Sequence, residues 1–287
     1  MTQDLQASIV GLGTMGRSIA RLLMTAGIRT IGFDPEAGDI PGLHRADSVE
    51  ACVAEADVVF EAVFEDADVK AETLRRISDA TSGTIASNTS TFIPSVLAPH
   101  VSDPGRFLVG HFFNPADLIP LVEVVPHPGT RPEVADDFVA LMRRLGRRPV
   151  VLQAERTGFV ANRLQAAILR ESLSLVEQGV VTAADLDEVV ISGLAARWAA
   201  VGPIGVADLG GLDIFRAVCT QIFPTLDDAS EPSALLVEQV ARGDLGAKTG
   251  SGFYPHTAES TAAAQAAVSR ILRVQRETRS EEPTPAG

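Results

Sequence analysis

Cysteine is scarce in this chain: there are two, Cys52 and Cys219, far apart and outside any Cys-x-x-Cys or Cys/His spacing. A disulfide framework and a zinc site are therefore not expected, and a reducing compartment is the natural setting. Positive charge is short as well, with 24 Lys and Arg against 37 Asp and Glu and a formal net charge of -13. Binding a phosphate backbone needs clustered cations, so no nucleic-acid partner is expected, and the carboxylate excess opposes an acidic membrane surface. No stretch is read as approaching the roughly 20 apolar residues that a membrane helix needs. The opening MTQDLQASIVGLG carries no basic segment ahead of its apolar run, so no signal peptide is expected and a cytoplasmic location follows. What remains, 46% hydrophobic and 21% charged over 287 residues, is enough for two modest domains with real cores.

Residues 7–10 are a short apolar run ending in Gly11, and amphipathic periodicity follows over 15–26 with Gly27 as stop signal. That is strand, tight turn, helix. Strand signals recur at 29–33, 57–63, 84–87, 107–111, 121–125 and 149–152, with helical signals at 48–55, 69–80 and 132–145. Alternation of this kind predicts βαβ units and a doubly wound, mainly parallel, Rossmann-like sheet. Beyond residue 155 the pattern changes. Segments 159–178, 183–194, 212–222 and 233–241 read as helices with no strand between them. The expected organisation is an α/β domain over 1–155, an all-α domain over 156–279, and a polar, proline-containing disordered tail over 280–287.

Gly11, Gly13 and Gly16 form a GxGxxG between the first strand and the first helix. The first glycine permits the tight turn, the second lets the backbone approach a pyrophosphate, and the third lets helix and strand pack closely. Thr14 and Met15 complete the turn and place helix N–H groups at the phosphates. Asp34 ends the second strand about 20 positions further on, where a carboxylate can accept the ribose hydroxyls of a dinucleotide. That carboxylate would repel a 2′-phosphate, and no arginine directly follows it, so NAD is expected rather than NADP.

Four polar residues stand in apolar or glycine-rich surroundings: Ser90, His111, Glu123 and Asn162. A carboxylate among Leu and Val is costly unless paired, and His111 is a sensible partner. A histidine held by a carboxylate keeps one tautomer and can take a proton from a hydroxyl. Pattern alone leaves open a satisfied core histidine at a strand end. Lys248 is similarly open between a loop-fixing residue and a surface lysine. His44, His100, His127 and His256 read as surface residues, and the two cysteines as packing residues.

The segments GLGTMG, FEAVFEDADVK, SNTS, GHFFNP, LVEVV, GFVANRL and KTGSGFY follow one another in the order found in the 3-hydroxyacyl-CoA dehydrogenase family, which the chain resembles from about Ser8 to Tyr254. The resemblance implies an NAD-dependent oxidoreductase of fatty-acid metabolism that interconverts L-3-hydroxyacyl and 3-ketoacyl thioesters, carried on coenzyme A or a carrier protein. It implies that His111 is the general base and Glu123 its orienting carboxylate. Ser90 and Asn162 would hold the reacting oxygen, and Glu65, Lys70 and Asn88 would line the cofactor site. The helical domain would close the cleft and form a homodimer.

Two departures bear on substrate. Thioester-acting members carry a long helical arm between the second and third strands that helps to grip coenzyme A, and the stretch 35–56 is too short for one. The segment around Arg197 and Trp198 is closer to family members that act on small hydroxy acids, such as gulonate or carnitine dehydrogenases. Arg197 could pair a substrate carboxylate through its planar fork, or lie on a helix surface beside Trp198. The thioester stays the first expectation and the small 3-hydroxy acid the alternative.

Overall fold

The structure is a computed structural model that describes residues 5–280. The first half of the chain alternates as β1 (Gln6–Val10), α1 (Thr14–Thr25), β2 (Arg29–Phe33), β3 (His44–Arg45), α2 (Val49–Val53), β4 (Val58–Glu61), α3 (Ala67–Ala80) and β5 (Thr84–Ser87). It continues through α4 (Pro94–Leu97), β6 (Phe107–Phe112), β7 (Leu121–Pro126), α5 (Pro132–Arg144) and β8 (Arg148–Val151). The eight strands form one sheet in the order β3-β2-β1-β4-β5-β6-β7-β8. Every pairing is parallel except β6 with β7. Apolar side chains cover both faces. Ile9, Leu108 and Val124 meet α1 and α5 on one side, while Val10, Val59 and Ile85 meet α2 and α3 on the other. This is the expected doubly wound architecture.

Local chemistry sets the element ends. Ser48 caps α2 by accepting the Ala51 N–H, and the Asp66 carboxylate caps α3 by accepting the N–H groups of Asp68 and Val69. The strand expected over 57–63 stops at Glu61 because the Val63 N–H turns to the Glu61 side chain, 2.9 Å away. Two elements of this half had no signal in the sequence. One is the two-residue strand β3 at the sheet edge, and the other is the four-residue α4, each too short for periodicity to register.

The chain divides into two compact units, Met1–Arg163 and Leu164–Gly287. Sequence composition put this boundary at 155/156. The difference arises because Val160 and Ala161 donate their N–H groups to Glu123, which keeps the start of α6 (Ala161–Glu177) with the sheet. The second unit goes on through α7 (Ala183–Glu188), a π-helical stretch Val189–Ala195, α8 (Ala196–Gly210), α9 (Leu212–Ile222), α10 (Ala234–Arg242) and α11 (Ala258–Ser280). Its links include Leu235 N–H to Glu177 at 3.0 Å and Tyr254 hydroxyl to Asp187 at 2.7 Å.

Three expectations for this half are corrected. The helix expected over 183–194 runs on to Gly210, kinked where Gly202 takes φ +73 ahead of Pro203. Its 28 residues have a mean hydropathy of 1.5 over the most apolar window, so this one helix is long and apolar enough to cross a membrane, although no such stretch was expected. The interposed Arg197 and Asp208 hide it in a residue-by-residue reading. The last helix, α11, was not anticipated, and it takes Ser280 out of the supposed tail. Residues 281–287 lie outside the described residues. Among described residues from Leu164 onward, only Leu173 and Ser174 are buried.

A Cβ on Gly16 would stand 1.9 Å from the Gly11 carbonyl oxygen, whereas a Cβ on Gly13 would meet nothing within 4 Å. Gly16→Ala is therefore expected to lower unfolding free energy by at least ~1–3 kcal/mol, the scale of overpacking. Gly13→Ala should change it by under about 1 kcal/mol, the scale of a helix N-cap change. Urea denaturation of the two variants, without added ligand, checks the contrast.

Candidate active site

Antiparallel pairing sets His111 of β6 directly opposite Glu123 of β7, on the same face of the sheet. Both are buried, and His111 Nδ1 lies 2.8 Å from Glu123 Oε2. The other carboxylate oxygen accepts the Val160 and Ala161 N–H groups, each at 2.9 Å, at the start of α6. Burial alone would raise the Glu123 carboxyl, but the His111 bond and these two N–H groups outweigh it and hold the group below the ordinary carboxylate range. An ionised Glu123 requires the proton on Nδ1, which leaves Nε2 with its lone pair free to accept. The ring is packed between Phe113 and Phe159, with centroids 4.5 and 5.3 Å away. Phe159, fully buried, reaches this place from a left-handed backbone, φ +52, next to Gly158 at φ +74. A non-glycine residue there costs on the order of 1–3 kcal/mol, and the burial of its ring supports it.

Ser90 is held by a separate network. Glu65 Oε1 accepts the Thr89 hydroxyl at 2.5 Å, the Ser90 N–H at 2.9 Å, and the Thr91 N–H and hydroxyl at 3.1 and 2.8 Å. Its Oε2 meets Lys70 Nζ at 3.2 Å, and Lys70 also bonds Glu61 at 2.9 Å. Glu61 in turn accepts the Ser87 hydroxyl. Burial pushes the Glu65 carboxyl up, but the Thr89 bond, Lys70 and the loop N–H groups bring it down to about 2. The sequence placed both Glu65 and Lys70 against the cofactor. In the structure Glu65 faces the cavity, while the Lys70 ammonium is fully buried beneath it and bonded to both Glu61 and Glu65. Glu61 and Thr89 are the residues that sequence reasoning missed. Glu61 carried a signal, a carboxylate in an apolar strand, the kind that picked out Glu123; Thr89 carried none.

Asn162 donates its side-chain amide to the Ser90 carbonyl at 3.3 Å, which joins the serine loop to the helix that holds Glu123. Asn88 accepts the Phe112 N–H at 2.9 Å and so ties the loop to the strand bearing His111. These residues line one cavity of about 920 Å³ that runs from Ser90, His111 and Asn162 to Gly11, Gly13 and Asp34.

The far end of the cavity fits a dinucleotide. Gly11 takes φ +95 and approaches Ala62 so closely that a Cβ would lie 2.5 Å from its backbone. The open space beside Gly13 is what a pyrophosphate would occupy, and no side chain caps α1 there, so its first N–H groups face the cavity. Thr14 and Met15 continue the rim; Met15 lines it directly. Asp34 accepts the N–H groups of Leu12, Glu36 and Ala37 at 2.7 to 3.0 Å. Burial opposes its ionisation, but these donors and Arg45 hold the carboxyl below its usual value. Arg45 reaches the Asp34 and Ala37 carbonyls from β3, a neighbour that sequence order concealed.

Arg197 lies in the second unit, its guanidinium on the Gly193 carbonyl one turn back, at 2.9 and 3.2 Å. His127, read as a surface residue, is half-buried and bonds the Pro104 carbonyl at 2.8 Å.

Family models describe this chain in two consecutive parts. The NAD binding domain of 3-hydroxyacyl-CoA dehydrogenase matches residues 39–155, and the C-terminal domain of the same family matches 158–256. The 5-formyl-3-hydroxy-2-methylpyridine 4-carboxylate 5-dehydrogenase of Mesorhizobium japonicum is 32% identical over 92% of this chain and 95% of its own. A solved structure of an enzyme of that name, described as an NAD+ dependent dismutase, is 30% identical and superposes with a TM-score of 0.89 over 98% of this chain and 100% of its own. L-carnitine dehydrogenase of Burkholderia mallei is 34% identical over 77% of this chain and 76% of its own. For 3-hydroxybutyryl-CoA dehydrogenase of Mycobacterium tuberculosis the figures are 32%, 88% and 98%.

The Glu65 network has a pH signature. A carboxyl lowered from 4.5 to about 2 stabilises the fold at every pH above 4.5, and that contribution disappears as pH falls towards 2. Urea denaturation should find Glu65→Gln less stable than wild type at neutral pH, with the gap closing between pH 4.5 and 2. A gap independent of pH would contradict the ionised network. Similarity along nearly the whole length, with both domain models matched in order, decides the relationship: the chain belongs to the 3-hydroxyacyl-CoA dehydrogenase family and is an NAD-dependent oxidoreductase.

Proposed function

We propose that the substrate is a small free 3-hydroxy acid, oxidised to its keto form at His111. The observation that carries this reading is the connection from β2 to β4. It holds only a two-residue strand and a five-residue helix, with nothing in the place of the coenzyme A-gripping arm. Similarity to a pyridine-carboxylate dehydrogenase and to L-carnitine dehydrogenase, neither named for a thioester, supports it. The sequence put the thioester first, and that reading keeps the support of the GHFFNP and SNTS segments and of the 3-hydroxybutyryl-CoA dehydrogenase relative.

NAD supplies the hydride acceptor. The substrate hydroxyl gives its proton to His111 Nε2 as the carbinol C–H bond breaks with its electron pair and the carbonyl forms. Glu123 keeps the proton on Nδ1 and stabilises the imidazolium. The Ser90 hydroxyl and Asn162 amide hold the reacting oxygen through donated hydrogen bonds. Arg197 is the candidate partner of the substrate carboxylate.

A second copy of the chain completes the second unit. Apolar side chains there stand in water, with Ile204 at 81% and Leu209 at 79% exposure. Exposed apolar surface on that scale marks an interface. A homodimer is the reading this supports, and the scarcity of cysteine supports a cytoplasmic location. Sedimentation at micromolar concentration should give twice the chain mass, and a monomer would reject it.

His111→Gln should lower kcat by ~10²–10⁴ with NAD binding retained. On a panel of gulonate, carnitine, 3-hydroxybutyrate, 3-hydroxybutyryl-CoA and its carrier-protein equivalent, a free acid should give the highest kcat/KM, and Arg197→Ala should lower that value by on the order of 2–5 kcal/mol. Tight competitive inhibition by coenzyme A alone, with the CoA thioester preferred, would return the chain to the thioester reading.

A further inference from the structure

The Glu61–Lys70–Glu65 cluster is more elaborate than holding a loop requires. Two carboxylates share one ammonium, and the described residues bring no second cation to them. Both behave as acceptors. Glu61 takes the Val63 N–H, the Lys70 ammonium and the Ser87 hydroxyl, and Glu65 takes four donors from the Thr89–Thr91 turn. With both carboxylates ionised, as this bonding allows, the cluster carries one uncompensated negative charge. Glu61 and Lys70 are fully buried, and water screens that charge poorly.

The charge faces one particular end of the cofactor. Glu65 opens on the cavity that His111 and Ser90 line, and its Oε1 is 2.9 Å from the Ser90 backbone nitrogen. The hydride-accepting ring must come to the same place, because it has to meet the carbon whose oxygen lies at His111 Nε2. Asp34, at the other end, meets the adenosine part, which is identical in the two redox forms. The nicotinamide ring carries a positive charge when oxidised and none when reduced.

We propose that Glu65, with Glu61 and Lys70 behind it, is a redox-form selector: its net negative charge favours NAD+ over NADH in the binding site. The enzyme is thereby loaded with the oxidised cofactor and lets the reduced one go, whichever substrate it serves. Positioning of the Ser90 loop is a separate task of the same side chain, and the two are separable. Glu61→Gln removes one charge and leaves every bond from Glu65 to the loop in place. Thr91→Val removes a loop bond and leaves every charge in place.

The test is calorimetric titration of the cofactor-free protein with NAD+ and with NADH, which needs no substrate and no turnover. Glu65→Gln and Glu61→Gln should each shift the ratio of the NADH to the NAD+ dissociation constant towards NADH, on the order of tenfold for one charge at intermediate dielectric. Thr91→Val and Glu65→Asp should keep the wild-type ratio within about twofold. Asp34→Asn should weaken both forms alike. If one glutamine variant does not fold, the other decides. A ratio unchanged in a folded glutamine variant, or moved equally by Thr91→Val, would overturn the proposal and leave Glu65 a loop-positioning residue.

Discussion

The single antiparallel pairing of the sheet, β6 against β7, is the constraint on which the site depends. It brings His111 and Glu123 face to face across two neighbouring strands joined by a short loop, where a parallel pair would need a crossover connection of about a dozen or more residues. With Glu123 held there, its second oxygen anchors the start of α6, and Asn162 in that first turn bonds the Ser90 loop. His111, Glu123, Asn162 and the Ser90 loop are therefore members of one hydrogen-bonded chain. Removing the Glu123 carboxylate would release the histidine tautomer and the helix start together, so effects within this chain should not add.

The second chain of bonds, from Ser87 to Glu61, Lys70, Glu65 and the Thr89–Thr91 turn, runs beneath the cavity from strand end to loop. Buried ion pairs add little net stability because desolvation offsets their attraction. Their place here is better understood through what they do to the site: Glu65 holds a turn whose backbone N–H groups point to it, and Lys70 and Glu61 hold Glu65.

Much of this was legible in the residues. The strand and helix periodicities placed every long element of the first unit to within a few positions, because each is covered on one or both faces and its pattern is correspondingly strong. Glu123 stood out because a carboxylate among valines needs a partner. The parts that were not legible share a cause. β3 and α4 are shorter than any period. The helical run through Gly202 and Pro203 continues across residues that usually stop helices. Lys70 was read as a cofactor contact because nothing in a sequence distinguishes an ammonium that points into a cavity from one buried under it. Arg45 reaches Asp34 through a sheet edge eleven residues further on, a proximity that only the fold creates.

That sheet edge has an evolutionary reading. β3 contributes two residues and, among the described residues, pairs with β2 alone at the edge of the sheet. The loop before it, from Asp34 to Gly42, is secured by arginine bonds to carbonyls and by Ile40, which is buried in the core beside α1. Chain could be added or removed at this edge without breaking an interior ladder of the sheet, as long as Ile40 keeps its place in the core. Such a scaffold can exchange a peripheral accessory at this edge while the His111–Glu123 pair on β6 and β7 and its anchor at the start of α6 stay as they are.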